Sequence, residues 1–161
     1  MSSSKIELKD CTMENTTPFV FNNMRVRAKI LDVYDGDTVT AAFETLGAGI
    51  YTHKIRMLGI DTPEIRTKSV QEKKAGVKAK EYLQDLILDK IVMLHIKSSD
   101  KYGRILATIF VDKLDVNEHM VTAGHARVYD GGKREAWVYD EPDEGDNYVS
   151  DVSDKEVVSD V

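Results

Sequence analysis

Cysteine occurs once in this chain, at Cys11, which excludes an internal disulfide and a cysteine-built metal knuckle. Histidine occurs four times, at His53, His95, His119 and His125, with no spacing that suits a shared metal, so these are read as structural. No apolar run approaches the ~20 residues needed to span a bilayer, and no membrane association is expected. The opening stretch MSSSKIELKD lacks the hydrophobic segment of a secretory signal. An intracellular setting is therefore expected, and the sequon Asn15-Thr16-Thr17 is expected to stay unmodified. Bases are nearly missing from the C-terminal end: residues 138–161 hold nine acids and the single base Lys155. The overall charge of -6 is thus misleading as an average, because residues 1–137 carry a net of +2. A mildly basic body is compatible with a polyanionic partner, while the acidic tail has few large apolar residues and is expected to be disordered.

What is present fits one globular domain: 161 residues, 42% of them hydrophobic. The expected organisation is a polar leader over 1–23, a folded domain over 24–137 and the acidic tail over 138–161. Within the domain, Val26 to Val33, Thr38 to Phe43 and Ile50 to Leu58 read as three strands, separated by Asp35-Gly36-Asp37 and by the turn Leu46 to Gly49. Ser69 to Gly76 is polar and lysine-rich and reads as an exposed loop. It runs into a helix over 77–88 whose apolar side would be Val77, Tyr82, Leu83, Leu86 and Ile87. Two more strands follow, Ile91 to Ile96 and Ile105 to Val111. A short helix from Val116 is stopped at Gly124, and Trp137 is the last large anchor. The order predicts an α+β fold rich in β-structure: a five-stranded OB-type barrel with packed helices. An open α+β sheet is the alternative.

Three short motifs carry chemistry: Asp35-Gly36-Asp37-Thr38, the run RMLGIDTPE from Arg56 to Glu64, and Lys101-Tyr102-Gly103-Arg104. Asp37 and Asp61 are hard oxygen donors that suit Ca²⁺. The EF-hand alternative fails, because Thr40 stands where the loop needs glycine and Leu46 where it needs glutamate. Arginines on two separate strands suit a phosphate, since a guanidinium forks onto two oxygens and stays charged. A cation, two arginines and a spare carboxylate together make a kit for phosphodiester hydrolysis.

These motifs, in this order and spacing, resemble those of the staphylococcal (thermo)nuclease family over about Val26 to Trp137. The resemblance implies a calcium-dependent nuclease that acts on DNA and RNA and leaves 3′-phosphate ends; a monomer is expected. By the same resemblance, Asp37, Asp61 and the Thr62 carbonyl would hold the calcium, with Asp35 an acid just behind it. Glu64 would be the general base, Arg56 and Arg104 the phosphate clamps, and Lys101, Tyr102 and Tyr129 the nucleotide contacts. Pro63 would stiffen the corner between Asp61 and Glu64 by fixing φ. The chain departs from the family pattern in two places. The stacking tyrosine would fall near Asp130, whereas Tyr129 stands one residue earlier, and a one-residue step in a strand reverses the face. The residues Lys133 to Trp137 leave little room for a basic C-terminal helix.

Taken singly, each motif reads as an ordinary turn or a surface charge; their co-occurrence carries the inference. Lysines 68, 73, 74, 78 and 80 read as a solvated face. The alternative function is an OB-type module that binds nucleic acid or protein without cleaving. A nuclease inside a cell endangers its host, which points to restraint by low free calcium, to compartmentation, or to a virus or parasite that profits from degradation.

Overall fold

The computed structural model describes residues 7–139. The acidic segment expected to be disordered lies outside them from residue 140 onward. Five long strands form the body: β1 (Met24–Val33), β2 (Thr38–Glu44), β3 (Ile50–Met57), β5 (Ile91–Ser99) and β6 (Ile105–Val111), with a two-residue β4 (Ile60–Asp61) between β3 and β5. They hydrogen-bond in the order β3-β2-β1-β5-β6. β6 then returns to run parallel to β3, pairing Ile55 with Ile105 and Met57 with Ala107, which closes the barrel. This is the OB-type architecture, and closure leaves the sheet no long free edge. The short β7 (Leu114–Asp115) pairs with β6, and β8 (Arg127–Val128) pairs with β4 in a small second sheet.

Alternation explains most of the barrel interior. Ala28, Ile30, Val33, Val39, Ala41, Phe43, Ile55 and Met57 point inward and are buried. The alternation in β1 breaks after Ile30, where the register to β2 shifts between Ile30 and Asp32. That bulge leaves both Leu31 and Asp32 facing solvent, where alternation would bury Asp32, and returns Val33 to the core. Before β1, Phe21 packs its ring edge-on against Phe43 and His53.

Helix α1 runs over Val70–Ile87, seven residues earlier than the apolar period suggests, so Ser69 to Gly76 is not an exposed loop. The Ser69 hydroxyl caps the helix by accepting a bond from the Glu72 amide. The first half of its buried face consists of Gly76 and Ala79, which carry no apolar signal; Leu83 and Ile87 complete it, while Val77 points outward. The small residues have a packing reason. A Cβ on Gly76 would lie 2.7 Å from the Pro63 carbonyl oxygen, and one on Gly36 would lie 2.9 Å from Ala79 and Thr62. α1 therefore serves as a flat bed on which the Asp35–Asp37 turn and the Thr62–Glu64 corner are both seated.

Helix α2 (Val116–Thr122) is capped by Asp115, whose side chain accepts from the Glu118 amide. It places buried Asn117 between three main-chain groups. The Asn117 amide oxygen accepts from the Ile109 N–H, and its nitrogen donates to the carbonyls of Leu58 and Ala107. Among the described residues, no helix is long and apolar enough to cross a membrane.

Candidate active site

The three motifs meet at one end of the barrel around a cleft of about 820 Å³. Its walls include Asp35, Asp37, Arg56, Glu64, Lys101, Tyr102, Arg104 and Tyr129. Asp61 and Thr62 lie buried just behind it. All ten residues proposed from sequence are thus gathered at one end of the fold, from the three motifs and Tyr129.

The β1–β2 turn supplies Asp37. The Asp35 carboxylate accepts from the Asp37 amide and holds the turn. Asp37 is nearly fully buried and accepts from the Thr38 hydroxyl and from both the amide and the hydroxyl of Thr62. Arg56, buried on β3, donates to the Met57 carbonyl and sets a second nitrogen 3.1 Å from Asp37. Burial nonetheless wins: it pushes the Asp37 carboxyl up to about 6, with Asp35 adding to the rise, against the pull of Arg56 and the threonine hydrogen bonds.

β4 supplies Asp61, which is completely buried. Pairing with β8 sets Asp61 opposite Arg127, whose guanidinium forks onto one carboxylate oxygen at 2.8 and 3.2 Å. The other oxygen faces Arg134 at 2.6 Å and Arg56 at 3.9 Å, yet it has no aligned hydrogen bond. The Arg134 contact is close enough for charge pairing but poorly directed. Two neighbouring buried acids form a hard-oxygen site whose negative charge is met here by the guanidinium groups of Arg56, Arg127 and Arg134, with one Asp61 oxygen left without a hydrogen bond. Asp37 and Asp61 are the hard-oxygen side chains that could serve a divalent cation. Among the described residues, however, no three His, Cys, Asp or Glu side chains gather into a complete cage; the remaining ligands would be the Thr62 carbonyl, water and substrate oxygen.

Glu64 stands at the corner after Pro63, half-exposed toward the cleft and paired with Arg134. Its main chain is fixed from α1: the Glu72 carboxylate accepts from the Glu64 amide and from the Thr67 hydroxyl. The Asp100–Arg104 turn brings the remaining cations. Asp100 accepts from the amides of Tyr102 and Arg104 and from the Arg104 side chain at 2.7 Å. Although partial burial opposes it, these hydrogen bonds hold the Asp100 carboxyl below its usual range. Lys101 and Arg104 both lie over the exposed Tyr102 ring, 5.1 and 5.7 Å from its centre.

Tyr129 lies beyond the last paired residue of β8, so strand alternation does not govern its face. Its amide donates to the Gly59 carbonyl and its hydroxyl to that of Gly132, and it lines the cleft. Sequence reasoning overlooked Arg127 and Arg134. Arg127 is additionally packed over Trp137, 4.2 Å from the ring centre, and donates to the main chain at Glu135 and Ala136. A signal for both was available: two buried acids require counter-charges, and Arg127 and Arg134 are the arginines left unassigned after Arg104.

Comparison with known proteins gives consistent matches. A family model described as staphylococcal nuclease homologue matches residues 54–145. An uncharacterised protein of Methanocaldococcus jannaschii is 32% identical over 71% of this chain and 65% of its own length. An uncharacterised endonuclease of Haemophilus influenzae is 31% identical over 80% of this chain and 67% of its own. One of Escherichia coli is 29% identical over 65% and 62%. This chain thus spans about two thirds of the length of these relatives.

Proposed function

The chain belongs to the staphylococcal nuclease homologue family, and from that premise we propose that it is a calcium-dependent nuclease that hydrolyses phosphodiester bonds of DNA and RNA and leaves 3′-phosphate ends. One observation carries the reading: carboxylates, guanidiniums and an exposed tyrosine from separate stretches converge on a single cleft large enough for a nucleotide. Asp37, Asp61 and the Thr62 carbonyl would hold the cation, which when bound supplies positive charge beside the phosphate oxygens. Arg56 approaches from the buried wall and Arg104 from the Asp100 turn, so the two guanidiniums neutralise charge that grows on the equatorial oxygens of a pentacoordinate phosphorus. Glu64, half-exposed, orients a water and takes its proton as the oxygen attacks in line. The bond to the 5′-oxygen breaks, and that oxygen picks up a proton as it leaves. Lys101 and Tyr102 hold the neighbouring phosphate and its nucleoside.

A non-cleaving binding module is the second reading, favoured by the Arg134 side chain lying on both Asp61 and Glu64. Cleavage of denatured DNA and of RNA by the full chain, in millimolar Ca²⁺ and in chelator, separates the two. The nuclease reading expects calcium-dependent cleavage that falls about 10²- to 10⁴-fold in Glu64→Gln and comparably in Arg56→Ala. Tight binding of nucleic acid with no cleavage in either buffer would establish the module instead.

A further inference from the structure

Beside the main cleft lies a smaller hollow of about 250 Å³ lined by Tyr34, Asp35, Thr38, Lys54 and Arg104. It shares Asp35, Thr38 and Arg104 with the cleft, but Tyr34 and Lys54 belong to it alone. Tyr34 is 43% exposed, at a position where β1 has just left the core. Its backbone is not free to wander, since its amide donates to the Thr38 carbonyl across the turn. Two cations stand over its ring: the Lys54 ammonium at 5.8 Å and the Arg66 guanidinium at 5.4 Å from the centre. Lys54 is itself steadied by donating to the Thr40 hydroxyl at 2.9 Å.

The placement is registered to the chemistry. Tyr34 directly precedes the Asp35–Asp37 turn, Lys54 is two residues before Arg56 on β3, and Arg66 is two residues after Glu64. Each of the three therefore rides on an element that carries a cleft residue. The pattern of an exposed ring with attendant cations repeats the arrangement of Tyr102 with Lys101 and Arg104, and Arg104 touches both hollows. An aromatic face beside positive charge is how proteins hold unpaired bases, the ring by stacking and the cations by tracking the backbone. The half-buried Asp35 carboxylate also lines the hollow, with one oxygen taken by the Asp37 amide, and the two cations over Tyr34 outnumber it.

We propose that Tyr34, Lys54 and Arg66 form a second nucleotide subsite, which takes the next unpaired nucleotide of a single strand, its base on Tyr34 and its phosphate against Lys54 and Arg66. The proposal rests on the nucleic-acid reading of the cleft and adds a substrate class to it: a strand splayed across Arg104 between Tyr102 and Tyr34 must be single-stranded, since a duplex cannot offer both bases for stacking.

The test is fluorescence anisotropy of a labelled oligothymidylate on the full chain, carried in the Glu64→Gln background with millimolar Ca²⁺ so that the strand persists. Tyr34→Ala is expected to weaken binding about 10-fold, within the range for loss of one stacked base, while Tyr34→Phe binds as the parent does. Lys54→Ala with Arg66→Ala is expected to flatten the slope of log affinity against log salt by about 0.7, the share of one phosphate on a single strand. A blunt duplex should be insensitive to Tyr34→Ala. Equal oligothymidylate binding by the parent and Tyr34→Ala, with Arg104→Ala still weakening it, would overturn the subsite and leave the cleft reading standing. No binding by the parent at all would overturn both.

Discussion

Replacing Gly76 by alanine tests how the catalytic corner is seated. In an ordinary helix the change stabilises by about 1 kcal/mol, because glycine loses more backbone freedom on folding. Here the new methyl would meet main chain: the Pro63 carbonyl oxygen at 2.7 Å, the Glu64 carbonyl carbon at 3.0 Å and its oxygen at 3.1 Å. None of these atoms can rotate away. Pro63 has a fixed φ, Thr62 is bonded to Asp37 by its amide and hydroxyl, and the Glu64 amide is bonded to Glu72. Overpacking of this kind costs roughly 1–3 kcal/mol, so the net effect is a loss of about 1 kcal/mol where propensity alone expects a gain. For a chain of this size that lowers the melting temperature by roughly 2–4 °C. The larger effect should be on turnover, since displacing Glu64 by about 1 Å is enough to cost on the order of 100-fold. Calorimetry and a cleavage assay on the same sample read both quantities. A Gly76→Ala protein that melts higher than the parent and cleaves at full rate would refute the reasoning, because the corner would then not rest against α1.

Three further outcomes follow from the geometry. Asn117→Ala strands the Ile109 N–H and takes the side-chain donor from the Leu58 carbonyl, while the Ala107 carbonyl keeps the Leu58 amide; at ~1–3 kcal/mol for an unmatched buried group, denaturant unfolding should show a loss of about 3 kcal/mol, and a loss under 1 would mean that water replaces the side chain. His53, stacked 4.3 Å from Phe43, has its pKa held below 6.5 by burial. Its contribution to stability is therefore present above pH 6.5 and lost as pH falls through the depressed folded value, and an NMR titration of His53 at or above 6.5 would contradict this. Arg134→Ala frees Asp61 and Glu64 of a half-exposed guanidinium; calorimetric titration with Ca²⁺ should show affinity raised about 5-fold, the equivalent of ~1 kcal/mol for such a pair, and weaker binding would show that Arg134 supports the cation site instead of competing with it.

Much of the site was legible before any coordinates. The alternation in β2, the turn residues of Asp35-Gly36-Asp37 and the spacing within RMLGIDTPE are local features, and local stereochemistry places them correctly. The start of α1 was not legible from its apolar period. The face it buries there is Gly76 and Ala79, chosen to let the Pro63–Glu64 main chain come close, and small residues leave no periodic signal. The only sequence cue was the Ser69-x-x-Glu72 spacing of a helix cap, hidden within a lysine-rich stretch.

By itself the sequence determined the five long strands, the barrel class, and the carboxylates and arginines of its three motifs, because each follows from the type and spacing of side chains along the chain. Only the tertiary structure decided how those charges balance. The fork of Arg127 onto Asp61 depends on β4 meeting β8, 66 residues apart. The reach of Arg134 to Asp61 and Glu64, and the nearness of Tyr34 to Lys54 and Arg66, likewise join stretches far apart in the chain. Coulomb energy and stacking depend on distance in space, and it is closure of the barrel with the packing of its connections that sets those distances.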